Sequence, residues 1–165
     1  MKIQSQSSAE LIHLAQLIQP MDTVAMLTSH DADGALVSRP MAPLEMDALG
    51  ALWFFTHRRS AKIEQLKALN LCFVDAERGT YVSMSGHGDI VDDREHVKRL
   101  WSPLARPWFP HGPDSEELTL LKFTPHSAEY WDAVDTKMVR LFATAVSMVA
   151  AKPIGLGEHG HLAHL

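Results

Sequence analysis

The sequence predicts a mainly β fold with flanking helices, on three observations. Short β-prone runs recur at 23–28, 35–46, 51–56, 71–75, 80–92, 118–124 and 128–131, separated by turn residues such as Asp33-Gly34, Asp47-Ala48-Leu49-Gly50 and Glu77-Arg78-Gly79. Helical periodicity is confined to an opening segment, a stretch after residue 60, residues 93–101 and a closing stretch over 136–151. The 165 residues, 46% hydrophobic and 21% charged, suffice for one core and leave little room for a second full-sized domain.

In chain order, Ser7 and Glu10 have capping-box spacing, and Leu11, Leu14, Ala15 and Ile18 follow at helical intervals until Pro20. Residues 23–28 and 35–46 read as a hairpin turned by Asp33-Gly34, the second strand being an edge or irregular one because Pro40 and Pro43 cannot donate ladder hydrogen bonds. Residues 51–56 carry too many large apolar groups for a solvent-facing loop and belong in the core. A helix is expected over 61–69, opened by Ser60 and striped by Ile63, Leu66 and Leu69. Two strands, 71–75 and 80–92, precede a short helix at 93–101. Pro103, Pro107, Pro110 and Pro113 then mark a loop containing Trp108 and Phe109, before final strands at 118–124 and 128–131. Residues 1–150, including the closing helix, form the expected domain; 151–165 are rich in Gly and His and read as a mobile tail.

Charge and composition narrow the function. Fifteen basic against twenty acidic residues give a formal charge of −5, which offers no general attraction for nucleic acid. No apolar run approaches the roughly 20 residues of a membrane-spanning helix, and the start lacks the order of a secretory signal. A lone Cys72 between Leu71 and Phe73 reads as a small buried hydrophobe. These features point to the cytoplasm, with neither nucleic acid nor membrane as partner.

The densest chemistry lies in Trp53-Phe54-Phe55-Thr56-His57-Arg58-Arg59-Ser60-Ala61-Lys62, where a buried strand runs into hydroxyls, cations and a helix start. Two readings fit: a phosphate cradle, with Thr56 and Ser60 as donors and Lys62 as countercharge, or a capped surface helix with solvated cations. Tyr81, Ser83 and Ser85 share one strand face by period-two geometry, and Gly86 admits a close backbone approach.

Read together with Ser38-Arg39-Pro40-Met41, Ser85-Gly86-His87-Gly88-Asp89, Trp108-Phe109-Pro110-His111-Gly112 and Glu129-Tyr130-Trp131-Asp132, this segment resembles the general stress protein branch of the pyridoxamine 5′-phosphate oxidase-like family. The ordered matches run from about residue 9 to residue 132. The resemblance implies a six-stranded split β-barrel, a homodimer, and flavin mononucleotide (FMN) in a cleft at the subunit interface. Carried onto this chain, it places Arg39, Pro40 and Met41 along the flavin ring and ribityl chain, Phe55 and Thr56 at the strand end beside it, Ser60 and Lys62 on its phosphate, and Ser85 and Gly86 facing the cofactor. Ala61 departs from the oxidases, which commonly place an arginine there; Arg58 or Arg59 is the candidate substitute. Trp131 either reaches the flavin edge across the interface or sits in the core. The aromatic loop over 107–112 is the expected interface element.

Other chemistries find less support. His159, His161 and His164 lie on a Gly-rich terminus that supplies poor metal geometry, and His87, His111 and His126, expected in turns or loops, are unassigned; no metal site is predicted. Asp92 and Asp93 read as helix capping, and no nucleophile elbow, P-loop or dinucleotide fingerprint occurs. The reading is therefore an FMN-binding general stress protein acting as a flavin-dependent oxidoreductase on an unidentified small molecule, with no catalytic residue assigned. Its rivals are a non-catalytic flavin-binding stress or redox-sensor protein, and a deazaflavin- or haem-binding barrel of the same family. Pyridoxamine 5′-phosphate oxidation itself is not expected, because no set of residues for that substrate's phosphate follows Trp131.

Overall fold

The computed structural model describes residues 1–21, 24–59, 63–133 and 157–163. Its elements are β1 (Lys2–Ile3), α1 (Ala9–Ile18), β2 (Ala25–His30), β3 (Leu36–Met41), β4 (Glu45–Met46), β5 (Leu52–His57), β6 (Leu69–Asp75), β7 (Thr80–Val91), α2 (Arg94–Leu100), β8 (Leu118–Ala133) and β9 (Gly157–Ala163). The strands form one sheet in the order β1-β4-β5-β8-β7-β6-β2-β3, and β9 adds to β8. The longer strands β2, β3, β5, β6, β7 and β8 are those of a split barrel, whose two ends are joined by residues 42–44 between β3 and β4. As the prolines of that segment predict, β3 is an edge strand, paired with β2 alone among the described residues.

Two turns of the same design shape this sheet. Asp31 Oδ1 accepts from the amides of Asp33 and Ala35, and Asp47 Oδ1 accepts from those of Leu49 and Ala51. Each turn closes through a glycine at positive φ, Gly34 at 82° and Gly50 at 83°, a conformation that side-chain-bearing residues rarely adopt.

Two apolar groups face opposite sides of β5 and β8. Leu52, Phe54, Leu121 and Phe123 join β2, β6 and β7 beneath Leu11, Leu14, Ala15 and Ile18 of α1. Trp53, Leu118 and Leu120 instead pack with Val97 and Leu100 of α2 and with Phe109. Burial on both faces explains the unbroken apolar run Leu52–Phe55 of β5 and the large apolar residues Leu118, Leu120, Leu121 and Phe123 on both sides of β8.

Several boundaries differ from expectation. The α1 cap is Ser8, whose hydroxyl accepts from the Leu11 amide, one residue later than the capping-box spacing suggested. Residues 35–46 divide into β3 and β4. The helix expected over 61–69 is, where described, a 3₁₀ turn at Ile63–Leu66, and Leu69 already belongs to β6 because it alternates into the core with Leu71 and Phe73. The two final strands are one, since a register shift opposite Ser85 and Gly86 absorbs His126 as an extra residue and leaves Pro125 paired with Gly86, so the ladder does not end. The closing helix expected over 136–151 lies outside the described residues. Residues 157–163, read as part of a loose tail, are paired with β8 from Ala133↔Gly157 to Ser127↔Ala163; β5 covers β8 only from Leu118 to Phe123, which leaves the rest of that edge for β9.

Candidate functional site

Period-two alternation sorts the expected cofactor residues onto two faces of the barrel wall. Arg39 and Met41 pair with Leu27 and Ala25, so they point inward; Met41 packs on the main core and Arg39 Nη2 donates to the buried Ser29 Oγ at 3.4 Å. That long contact is the one hydrogen bond described for a guanidinium with five N–H donors. Pro40 lies between them on the outer face, opposite Met26. Thr56 shares the inner side of β5 with Phe54, so Arg39 and Thr56 face inward from opposite ends of the strand order.

Phe55 turns the other way. Its ring meets Trp101 at 5.8 Å and Phe109 at 5.9 Å, and the His57 ring lies 4.8 Å from Phe109. Phe109 is consequently part of the second core, while Trp108 of the same 107–112 loop is exposed.

Beyond β5, Arg58, Arg59, Arg94, Glu116 and Glu117 line a cavity of about 370 Å³. Ser60, Ala61 and Lys62 lie outside the described residues. Arg58 Nη2 meets Asp92 Oδ2 at 2.6 Å, and this hydrogen bond, ahead of simple charge attraction, holds the Asp92 carboxyl below the usual carboxylate range and raises the Arg58 guanidinium. Arg58 is thus paired with Asp92, across the end of β5. Of the acidic pair, Asp93 caps α2 through the His96 amide at 2.9 Å, whereas Asp92 serves as the arginine acceptor.

The outer face of β2, β6, β7 and β8 carries the remaining candidates. Ser38, Thr28, Asn70, Ser85 and Ser127 form one transverse row, and Val74, Tyr81 and Trp131 another. Trp131 is 42% exposed, so the core alternative for it fails within this chain, while Tyr130 takes the inward face against the His13 ring. Gly86 works as anticipated: a Cβ there would collide with the Thr124 carbonyl oxygen of β8.

Three polar groups escaped the sequence reading. Arg94 Nη1 donates to the carbonyls of Ser115 and Leu118, tying the proline-rich loop to α2. A cation in the first turn of a helix opposes the helix dipole, which is the signal that its charge is used elsewhere. Buried Glu45 accepts from Gln4, His96 and Arg99; the carboxylate between Leu44 and Met46 in an apolar run was the available cue. Finally, His87 and His126, expected in turns or loops, stand on β7 and β8 with Nδ1 and Nε2 2.7 Å apart. Among the described residues no helix is long and apolar enough to cross a membrane.

Comparison with known proteins agrees with this architecture. The chain is 28% identical over 144 residues to protein bli-3 of Neurospora crassa, covering 78% of this chain and 68% of that protein. The crystal structure of a general stress protein 26 from Jannaschia sp. CCS1 superposes with a TM-score of 0.68 at 25% identity, covering 94% of this chain and 99% of the other. A general stress FMN/FAD binding protein from Xanthomonas citri superposes at 0.60 with 26% identity, covering 73% and 86% of the two chains. Residues 10–154 match the family described as pyridoxamine 5′-phosphate oxidase like, and with most of its length so matched this chain belongs to that family.

Proposed function

We propose that the protein is an FMN-binding stress protein, homodimeric and cytoplasmic, that acts as a flavin-dependent oxidoreductase on a small molecule. The observation that carries this reading is the 26% identity to the FMN/FAD binding stress protein from Xanthomonas citri, joined to the inward-facing Arg39 and Thr56 on the two sides of the split. A bound flavin would supply hydride or electron transfer. Arg39, with donors to spare, would hold polar atoms of the ring or ribityl chain, beside Pro40 and Met41. Thr56, Ser60 and Lys62 would receive the phosphate, and the backbone at Phe55 would border it. Ser85 would front the cofactor from the outer face, where a second subunit would close the site, with the Gly86 backbone beside it, and Trp131 would cover the flavin edge. The donor set suits an anion on a hydroxyl-rich chain: an arginine and a lysine with three hydroxyls.

The test is the absorption spectrum of freshly purified protein, followed by anaerobic reduction with a nicotinamide donor and reoxidation by candidate acceptors. A flavin spectrum with turnover supports the enzyme. Bound flavin without turnover makes the protein a binder or sensor, and a haem or deazaflavin spectrum overturns the choice of FMN.

A further inference from the structure

The β7–β8 ladder is interrupted at one place, and the interruption brings two imidazoles together. Ser85 pairs with Ser127 and Gly86 with Pro125, so His126 is an extra residue on β8, a bulge. Regular pairing sets Thr124 opposite His87; the bulge instead swings His126 onto His87, with ring centroids 4.8 Å apart and Nδ1 of His87 2.7 Å from Nε2 of His126. Gly86 permits this close approach of the strands, since any side chain there meets the Thr124 carbonyl. Both histidines remain accessible to solvent.

The third member is Asp89, two residues along the same face of β7, with Oδ2 3.6 Å from Nε2 of His87. A carboxylate on that side favours the tautomer carrying its proton on Nε2, which turns the Nδ1 lone pair toward His126. At 3.6 Å the carboxylate stands just beyond hydrogen-bond reach, on the side from which a carboxylate orients a metal-binding histidine. A divalent ion ~2.0–2.1 Å from each nitrogen sets them ~2.9–3.4 Å apart, so the 2.7 Å gap must widen by about 0.2–0.7 Å.

We infer that His87 Nδ1 and His126 Nε2 form a cross-strand site for a borderline divalent transition metal such as Zn²⁺ or Cu²⁺, with Asp89 as the positioning residue. Among the described residues no group of three or more His, Cys, Asp or Glu gathers to hold a metal, so solvent supplies the remaining ligands. On binding, the His126 proton moves from Nε2 to Nδ1 and both ring nitrogens at the gap become donors to the ion. Imidazole pairs select Cu²⁺ over Zn²⁺ and exclude Mg²⁺ and Ca²⁺. The ion would staple β7 to β8 at the bulge beside Gly86.

Titration of the ¹⁵N-labelled full chain with Zn²⁺, read by long-range ¹H–¹⁵N spectra of the imidazoles, tests this without a mutation. The expected result is that Nδ1 of His87 and Nε2 of His126 shift together and saturably, while Mg²⁺ moves neither. Calorimetry should then show Zn²⁺ affinity at least tenfold weaker in His87→Ala and His126→Ala, and about tenfold weaker in Asp89→Asn. The combined variant His159→Ala, His161→Ala, His164→Ala should retain the site. Shifts confined to the tail histidines, or affinity lost in that combined variant and kept in His87→Ala, would overturn the inference, as would absence of Zn²⁺ binding to the wild-type chain.

Discussion

Glu45 on β4 receives the Nε2 of His96 on α2 at 3.0 Å, and both side chains are nearly removed from solvent. Gln4 completes one Glu45 oxygen at 2.9 Å and Arg99 shares the other at 3.3 Å, so one carboxylate joins the N-terminal segment, the sheet and α2. Burial raises the Glu45 carboxyl, but the Gln4 and His96 hydrogen bonds and the Arg99 charge together outweigh it and hold the group below its ordinary value. A group depressed in the folded state contributes stability that is complete above its unfolded pKa, about 4.3 for glutamate, and lost as pH falls through the folded value. At pH 7, Glu45→Gln should cost about 1.5–3 kcal/mol. The gap in Tm between wild type and variant should narrow as pH is lowered from 6 to 3; a gap independent of pH would show that the carboxylate charge contributes nothing.

Gly86→Ala should destabilise the protein by about 1–3 kcal/mol, because the added methyl group meets backbone, which cannot swing aside as a side chain can. Chemical denaturation provides the measurement. Gly34→Ala is the comparison for positive φ alone, since open space surrounds that Cβ.

Val74, Tyr81 and Trp131 give the outer sheet face an exposed apolar row, and Met26 lies further along it. Such a surface is suited to a second copy. The wild-type protein should sediment as a dimer at micromolar concentration, and Val74→Lys should shift it to monomer with an unchanged circular dichroism spectrum. A monomeric wild type that binds flavin at full affinity would remove the dimer from the proposal.

Lys62→Ala should weaken FMN binding by roughly ten- to a hundredfold, as expected for loss of one charged hydrogen bond, and leave riboflavin nearly unaffected. Fluorescence titration with both ligands decides; equal losses would place Lys62 away from the phosphate.

Trp131→Phe should partly restore the emission of bound flavin with little change in Tm, since the indole is already half exposed. Tyr130→Phe, on the opposite strand face, is the control for general disturbance. Unchanged emission together with a large loss of Tm would return Trp131 to a packing role.

Much of the fold was legible because local chemistry dictates it. The Asp-x-x-Gly turns at 31–34 and 47–50, the α1 stripe, the Pro40 edge strand and the α2 cap each depend on a few neighbouring residues, so composition and spacing suffice. The ordered cofactor segments likewise named the family. Tertiary structure alone decided the rest. Leu69 has a spacing compatible with helix or strand, and only its place beside Leu71 in the core resolves the choice. Phe55 and Phe109 lie far apart in the sequence, and only packing sets their rings against each other. The meetings of Glu45 with His96, Arg58 with Asp92 and His87 with His126 join residues 51, 34 and 39 positions apart. Pairings of that kind are set by strand register and a single bulge, which arise from the packing of the whole sheet and leave no periodic trace in the sequence.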